Sequence, residues 1–223
     1  MLATGSTLFV RLLLAVSFGR GKIIIECGLT PRAADSRFAL SVMGGVARAA
    51  PLAAPALGPA AGDRFLTEFG RLLKDSIRLN DVVVRTGGEE FLVVLKNTDM
   101  AYLDLFATKI LGKIGEQSFV LSEVEGRTIH KTCSVGYSAF PLVDTEPDRY
   151  NFEQIMMLAD QALYYAKAHG RNQAVRVLAG PARPENPEQT EKLLRNLEYG
   201  EQKGYIETKI FHRPGEGSSG PIS

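Results

Sequence analysis

Apolar positions recur at helical spacing in three stretches of the chain. In "DRFLTEFGRLLKDSIRL", Phe65, Leu66, Phe69, Leu72, Leu73 and Ile77 fall on one stripe. In "NTDMAYLDLFATKILGKI", Leu103, Phe106, Ile110 and Ile114 do the same, with Asn97 or Thr98 as the expected cap. In "FEQIMMLADQALYYAKAHG", Ile155, Leu158, Ala159, Ala162, Leu163 and Ala166 face inward, and the helix is expected to end at Gly170. Strand spacing occupies the gaps. "RTIHKTCSVGYSAF" sets Ile129, Lys131, Cys133 and Val135 against polar neighbours and reads as one strand, and "AVRVL" reads as a short last one. "VVVRTGGEEFLVVL", Val82 to Leu95, puts two apolar runs around Gly87-Gly88, a favoured two-residue turn, and so predicts a hairpin. Helix, hairpin, helix, strand, helix, strand implies an α/β (α+β) domain, a mixed sheet with helices packed on it.

The flanks are less regular. "LFVRLLLAVSF", Leu8 to Phe18, is too short for a bilayer span and is interrupted by Arg11. It lacks the basic start and cleavage site of a signal peptide, and is expected to be a buried helix or strand, or the stump of a longer parent protein. "ARAAPLAAPALGPAAG" has no period, and Pro51, Pro55 and Pro59 oppose a regular helix. After "GPARPENPEQ", a linker-like run, "EQTEKLLRNLEYGEQKG" allows one more helix, and "RPGEGSSGPIS" is expected to be disordered. The expected organisation is therefore a divergent segment and linker over 1–61, a patterned domain over 62–179, and a linker, short helix and tail over 180–223.

Composition narrows the function classes. A hydrophobic fraction of 45% in 223 residues supports a real core, and a net charge of +1 gives no global field for nucleic acid or an acidic membrane. Cys27 and Cys133 form no CxxC pair, which points to a reducing, cytoplasmic setting. His130, His169 and His212 have no metal-ligand spacing.

Four motifs in order carry more. These are "GDRFL" at the start of the first helix, "RTGGEEF" at the hairpin, "SVGYS" in the strand and "ADQALYYAKAHGRN" on the third helix. With them the 62–179 region resembles the GGDEF family, in its GGEEF form, whose members make cyclic di-GMP from two GTP molecules. The resemblance implies a nucleotidyl-cyclase-like mixed sheet. It implies that Glu89 binds the metals, magnesium or manganese, and that Glu90 lies close to the nucleotide. It assigns the GTP phosphates to Lys167 and Arg171, the guanine base to Asp63, and close backbone approach to Gly87 and Gly88. Each residue also has a plainer reading. Lys167 and Arg171 suit a helix C-terminus, and Asp63 suits an N-cap. Arg78 and Asp81, an R-x-x-D placed nine residues before Gly87, match the family's inhibitory product site; the plainer reading is a helix-end Arg paired with a loop Asp.

Upstream the match stops. The family's second metal Asp falls near Val46 here, its guanine-reading Asn near Ala54, and Pro59 stands where its His is expected; the 43–62 stretch contains no acid. Three functions are open on the resemblance. One is a diguanylate cyclase acting as a homodimer on GTP, within a longer parent carrying a sensor module and without nucleic acid. Another is a catalytically impaired domain that binds cyclic di-GMP as a regulatory module. A dimerisation scaffold is the third.

Overall fold

The computed structural model describes residues 8–15, 59–87, 90–122 and 126–215, and of 8–15 the course of the main chain. Among these, a six-stranded sheet has the order β2-β3-β1-β6-β7-β8, with β1 at Leu8–Ala15, β2 at Val82–Gly87, β3 at Glu90–Val94, β6 at Cys133–Phe140, β7 at Gln173–Ala179 and β8 at Ile206–His212. β4 (Ser118–Ser122) and β5 (Arg127–His130) pair separately. The sheet is mixed: β1 runs parallel to β3 and β6, β6 runs parallel to β7, and the two edge strands are antiparallel to their neighbours. This is the expected α+β architecture. Leu8–Ala15 of the N-terminal apolar run is a strand, at the centre of the sheet; a near-continuous apolar sequence suits a central strand.

Period-two alternation splits the core into two halves. Phe91, Val93, Cys133, Val135, Tyr137 and Ala174 face one side. There they meet α1 (Pro59–Lys74) through Phe65, Phe69 and Leu73, and α2 (Met100–Glu116) through Leu103, Phe106, Ile110 and Ile114. Val175, Val177 and Ile206 face the other side, against α3 (Phe152–Ala168), α4 (Pro187–Arg195) and α5 (Leu197–Gln202).

The elements depart from the sequence reading where local chemistry overrides periodicity. α1 starts at Pro59, because a first-turn proline lacks an N–H that has no partner there anyway. Asp63 therefore sits inside the helix and is not its N-cap. α2 is capped by Asp99, whose carboxylate accepts from the Tyr102 N–H at 2.7 Å, and not by Asn97 or Thr98. "RTIHKTCSVGYSAF" is two strands in two sheets, broken at Lys131-Thr132. The single helix expected after residue 186 divides at Asn196, which closes α4 and caps α5. β8 was not expected at all; it pairs with β7 over its whole length, so the sheet draws strands from all three zones of the sequence. The segment 16–58, which includes Cys27, Val46 and Ala54, and the tail 216–223 lie outside the described residues.

α3 holds its place by direct backbone contact. A Cβ on Gly136 of β6 would overlap the Leu163 nitrogen and the Ala159 carbonyl oxygen, so only glycine lets the helix lie this close. At its end Gly170 takes φ +108° and the Arg171 N–H donates to the Ala166 carbonyl at 2.9 Å, a Schellman closure. Gly136→Ala is expected to lower unfolding stability by about 3 kcal/mol, since backbone cannot give way as a side chain does. Gly62→Ala, where a Cβ meets nothing within 4 Å, is expected to stabilise by about 0.5–1 kcal/mol. Urea unfolding of both variants checks this pair; equal midpoints would contradict it.

Candidate functional site

The β2–β3 hairpin and the end of α3 converge on one edge of the sheet. Gly87 is the last residue of β2 and pairs with Glu90, after a register shift between Arg85 and Gly87. β2 therefore runs through Gly87, which the sequence reading had placed in the turn. Gly88 and Glu89 themselves lie outside the described residues. Glu90 opens β3, level with the main chain of Phe9 in β1, and Phe9 is in turn level with Ser134 in β6. The Lys167 ammonium lies 3.8 Å from the Glu90 carboxylate, both partly exposed. Arg171 follows in the left-handed region at φ +60°, exposed, just beyond the Schellman turn. Thus the structure brings Glu90, Lys167 and the backbone of Gly87 together, with Arg171 close in sequence. Asp63 is exposed on α1. Its carbonyl accepts from the Thr67 hydroxyl at 2.8 Å, which accounts for its main chain and leaves the carboxylate's role open.

Arg78 and Asp81 form the second group, in the turn from α1 to β2. Asp81 is 4% exposed. Its two oxygens accept from the Arg78 N–H at 3.0 Å and the Lys96 N–H at 2.9 Å. The Arg78 guanidinium does not pair with Asp81; it lies over the Tyr102 ring, 4.4 Å from the centroid. The Arg–Asp link is thus made through Arg78's main chain, and its charged end points elsewhere.

Sequence reasoning missed two further features. Asp104 on α2 accepts from the buried Tyr137 hydroxyl at 2.7 Å and from Arg176 at 2.8 and 2.7 Å. Burial and the Asp104 carboxylate push the Tyr137 phenol well above its ordinary pKa, so it stays neutral and donating. The only signal was an acid and a base at positions the patterns left polar. Ser134, inside the "SVGYS" motif and level with Glu90 two positions along, is fully buried, and its hydroxyl has no hydrogen-bond partner among the described residues. No group of three or more His, Cys, Asp or Glu among the described residues could hold a metal ion. The described carboxylates do not by themselves make a metal site. No helix among the described residues is long and apolar enough to cross a membrane.

A sequence model described as "Diguanylate cyclase, GGDEF domain" matches residues 54–173, just over half of the chain. The chain belongs to the GGDEF family. It is 36% identical to Diguanylate cyclase A of Treponema denticola over 115 residues, 52% of this chain and 29% of that protein. It is 36% identical to the uncharacterized protein YhcK of Bacillus subtilis over 111 residues, 50% of this chain and 29% of that protein. It is 32% identical to diguanylate cyclase DosC of Escherichia coli over 111 residues, 50% of this chain and 22% of that protein. The chain thus spans under a third of the length of these relatives. The GGDEF match ends at Gln173, so β8 and the helices α4 and α5 lie beyond it.

Asp81 anchors the turn in this GGDEF domain. Asp81→Ala leaves two part-buried main-chain N–H groups without their acceptor and is expected to lower unfolding stability by about 2 kcal/mol. Arg78→Ala, which keeps the N–H, is expected to lose under about 1 kcal/mol. Urea titration of the two variants measures this, and an Asp81→Ala variant as stable as the parent would contradict it.

Proposed function

We propose that this domain is of the diguanylate cyclase type. Two GTP-loaded copies face each other; the 3′-hydroxyl of each GTP attacks the α-phosphate of the other, and cyclic di-GMP and two pyrophosphates result. The observation that carries the proposal is the approach of Lys167 to Glu90 at the hairpin. It gathers a cation for phosphate oxygens, a carboxylate and a glycine backbone at one edge of the sheet. In this reading Lys167 and Arg171 hold the triphosphate as charge-assisted donors. Gly87 and Gly88 let the sugar and phosphates approach, since no Cβ intervenes. Glu90 lies beside the nucleotide and Asp63 reads the guanine.

Magnesium or manganese is the divalent ion of this proposal, with Glu89 its ligand; such an ion would neutralise triphosphate charge and is commonly held by one or two carboxylates together with substrate phosphates. The active unit is a homodimer, and a sensor module in a longer parent supplies the input.

A second reading is favoured by two observations. No acid stands in the 43–62 stretch where the family's second metal carboxylate is expected. The R-x-x-D turn, by contrast, is built, with Arg78 held on Tyr102. In this reading the domain is catalytically impaired and binds cyclic di-GMP as a regulatory module through Arg78 and the turn that Asp81 supports.

The initial rate of cyclic di-GMP formation at saturating GTP and magnesium separates the two. The expected outcome is slow turnover in the parent chain, and a further loss of about 10²-fold or more in Glu89→Ala, the scale for losing one electrostatic group at a reacting phosphate. A rate indistinguishable between the two chains would remove the cyclase reading and leave the regulatory one.

A further inference from the structure

The turn that carries Arg78 is fixed at both ends of that residue. Asp81 holds its main-chain N–H. Tyr102 holds its guanidinium, 4.4 Å from the ring centroid, although Arg78 is otherwise exposed. Tyr102 is itself fixed: its N–H is tied to the Asp99 cap, and its ring stacks on Phe106 at 6.4 Å and 27°. An unsupported arginine spends rotamer freedom when it grips a ligand. A guanidinium laid on an aromatic face loses less, because its plane is already set while its N–H edge stays available. Asp81's two oxygens each already accept a main-chain N–H, and the residue is buried. Recognition in this turn therefore falls on the Arg78 guanidinium.

We infer that Tyr102 is a positioning residue for Arg78, holding the guanidinium plane so that its N–H edge meets the acceptor edge of a guanine in a bound cyclic dinucleotide. The inference rests on the product-binding reading above. It adds that the affinity of that site depends on an aromatic face on α2, a residue outside the R-x-x-D motif. Guanine presents O6 and N7 as a paired acceptor, which a planar guanidinium matches with two parallel N–H groups.

Titration calorimetry with cyclic di-GMP tests this on the full chain. Arg78→Ala is expected to weaken binding roughly tenfold or more. Tyr102→Ala and Tyr102→Leu are each expected to weaken it about three-fold, the scale of an exposed cation–π contact. Tyr102→Phe, which keeps the ring, is expected to bind within about two-fold of the parent. In the Arg78→Ala background, Tyr102→Leu is expected to add nothing, because the two residues act as one unit. Tyr102→Leu keeps apolar bulk against Phe106, so the test stands even where Tyr102→Ala fails to fold. Parent-like affinity in Tyr102→Leu beside a weakened Arg78→Ala would overturn the inference alone. So would a Tyr102→Leu loss that persists without Arg78. A parent chain that does not bind cyclic di-GMP, or an Arg78→Ala variant that binds unchanged, would overturn the product-binding reading and the inference with it.

Discussion

The contact between α3 and β6 at Gly136 is the constraint on which the rest depends. With a side chain there, the helix would be lifted off the sheet by the width of at least one methyl group. α3 carries the family's longest motif, and its last turn delivers Lys167 to within 3.8 Å of Glu90. The glycine in "SVGYS" is thus a packing residue with a functional consequence: it sets the height of the helix, and the helix sets the place of the cations. The Schellman turn at Gly170 then ends α3 at once and sends Arg171 away from the helix axis.

The other half of the domain is organised by a buried carboxylate. Asp81 satisfies two main-chain N–H groups that a turn between a helix and a strand would otherwise leave open. An aspartate placed this way shapes the loop that displays its neighbour. Arg78 gains a fixed main chain from Asp81 and a fixed side chain from Tyr102. Asp104 does similar work on the same face of the sheet, joining Tyr137 and Arg176 across α2, β6 and β7.

Helices and hairpin were legible because their apolar spacing is long and unambiguous. Phe65, Phe69 and Leu73, Leu103 and Ile110, and Ile155 and Ala162 all face the core as their spacing requires. What was not legible depended on partners distant in sequence. "LFVRLLLAVSF" carries no period that separates strand from helix, and the identity of Leu8–Ala15 as β1 comes from the slot between β3 and β6. β8, "IETKIFH", is too polar to announce itself, and pairs because β7 offers an open edge. The break at Lys131-Thr132 was hidden because the alternation runs straight through it. At the site, the motifs marked Glu90, Lys167 and Arg171, and the separate R-x-x-D pattern marked Arg78 and Asp81. They did not reveal that Asp81 is tied to backbone or that Arg78 rests on Tyr102, since both facts depend on folding Lys96 and α2 against the turn.

In the proposed function, the docked end of α3 and the GGEEF hairpin together form a triphosphate site. The most direct test is GTP affinity in the presence of magnesium, measured by calorimetry on the parent chain and on Lys167→Ala, with unfolding midpoints alongside. Lys167 is partly exposed and is not part of the core, so its removal should leave the fold intact. Lys167→Ala is expected to bind GTP roughly ten-fold or more weakly than the parent, the worth of a charge-assisted contact to phosphate, at an unchanged midpoint. Equal affinity in the two chains would contradict it.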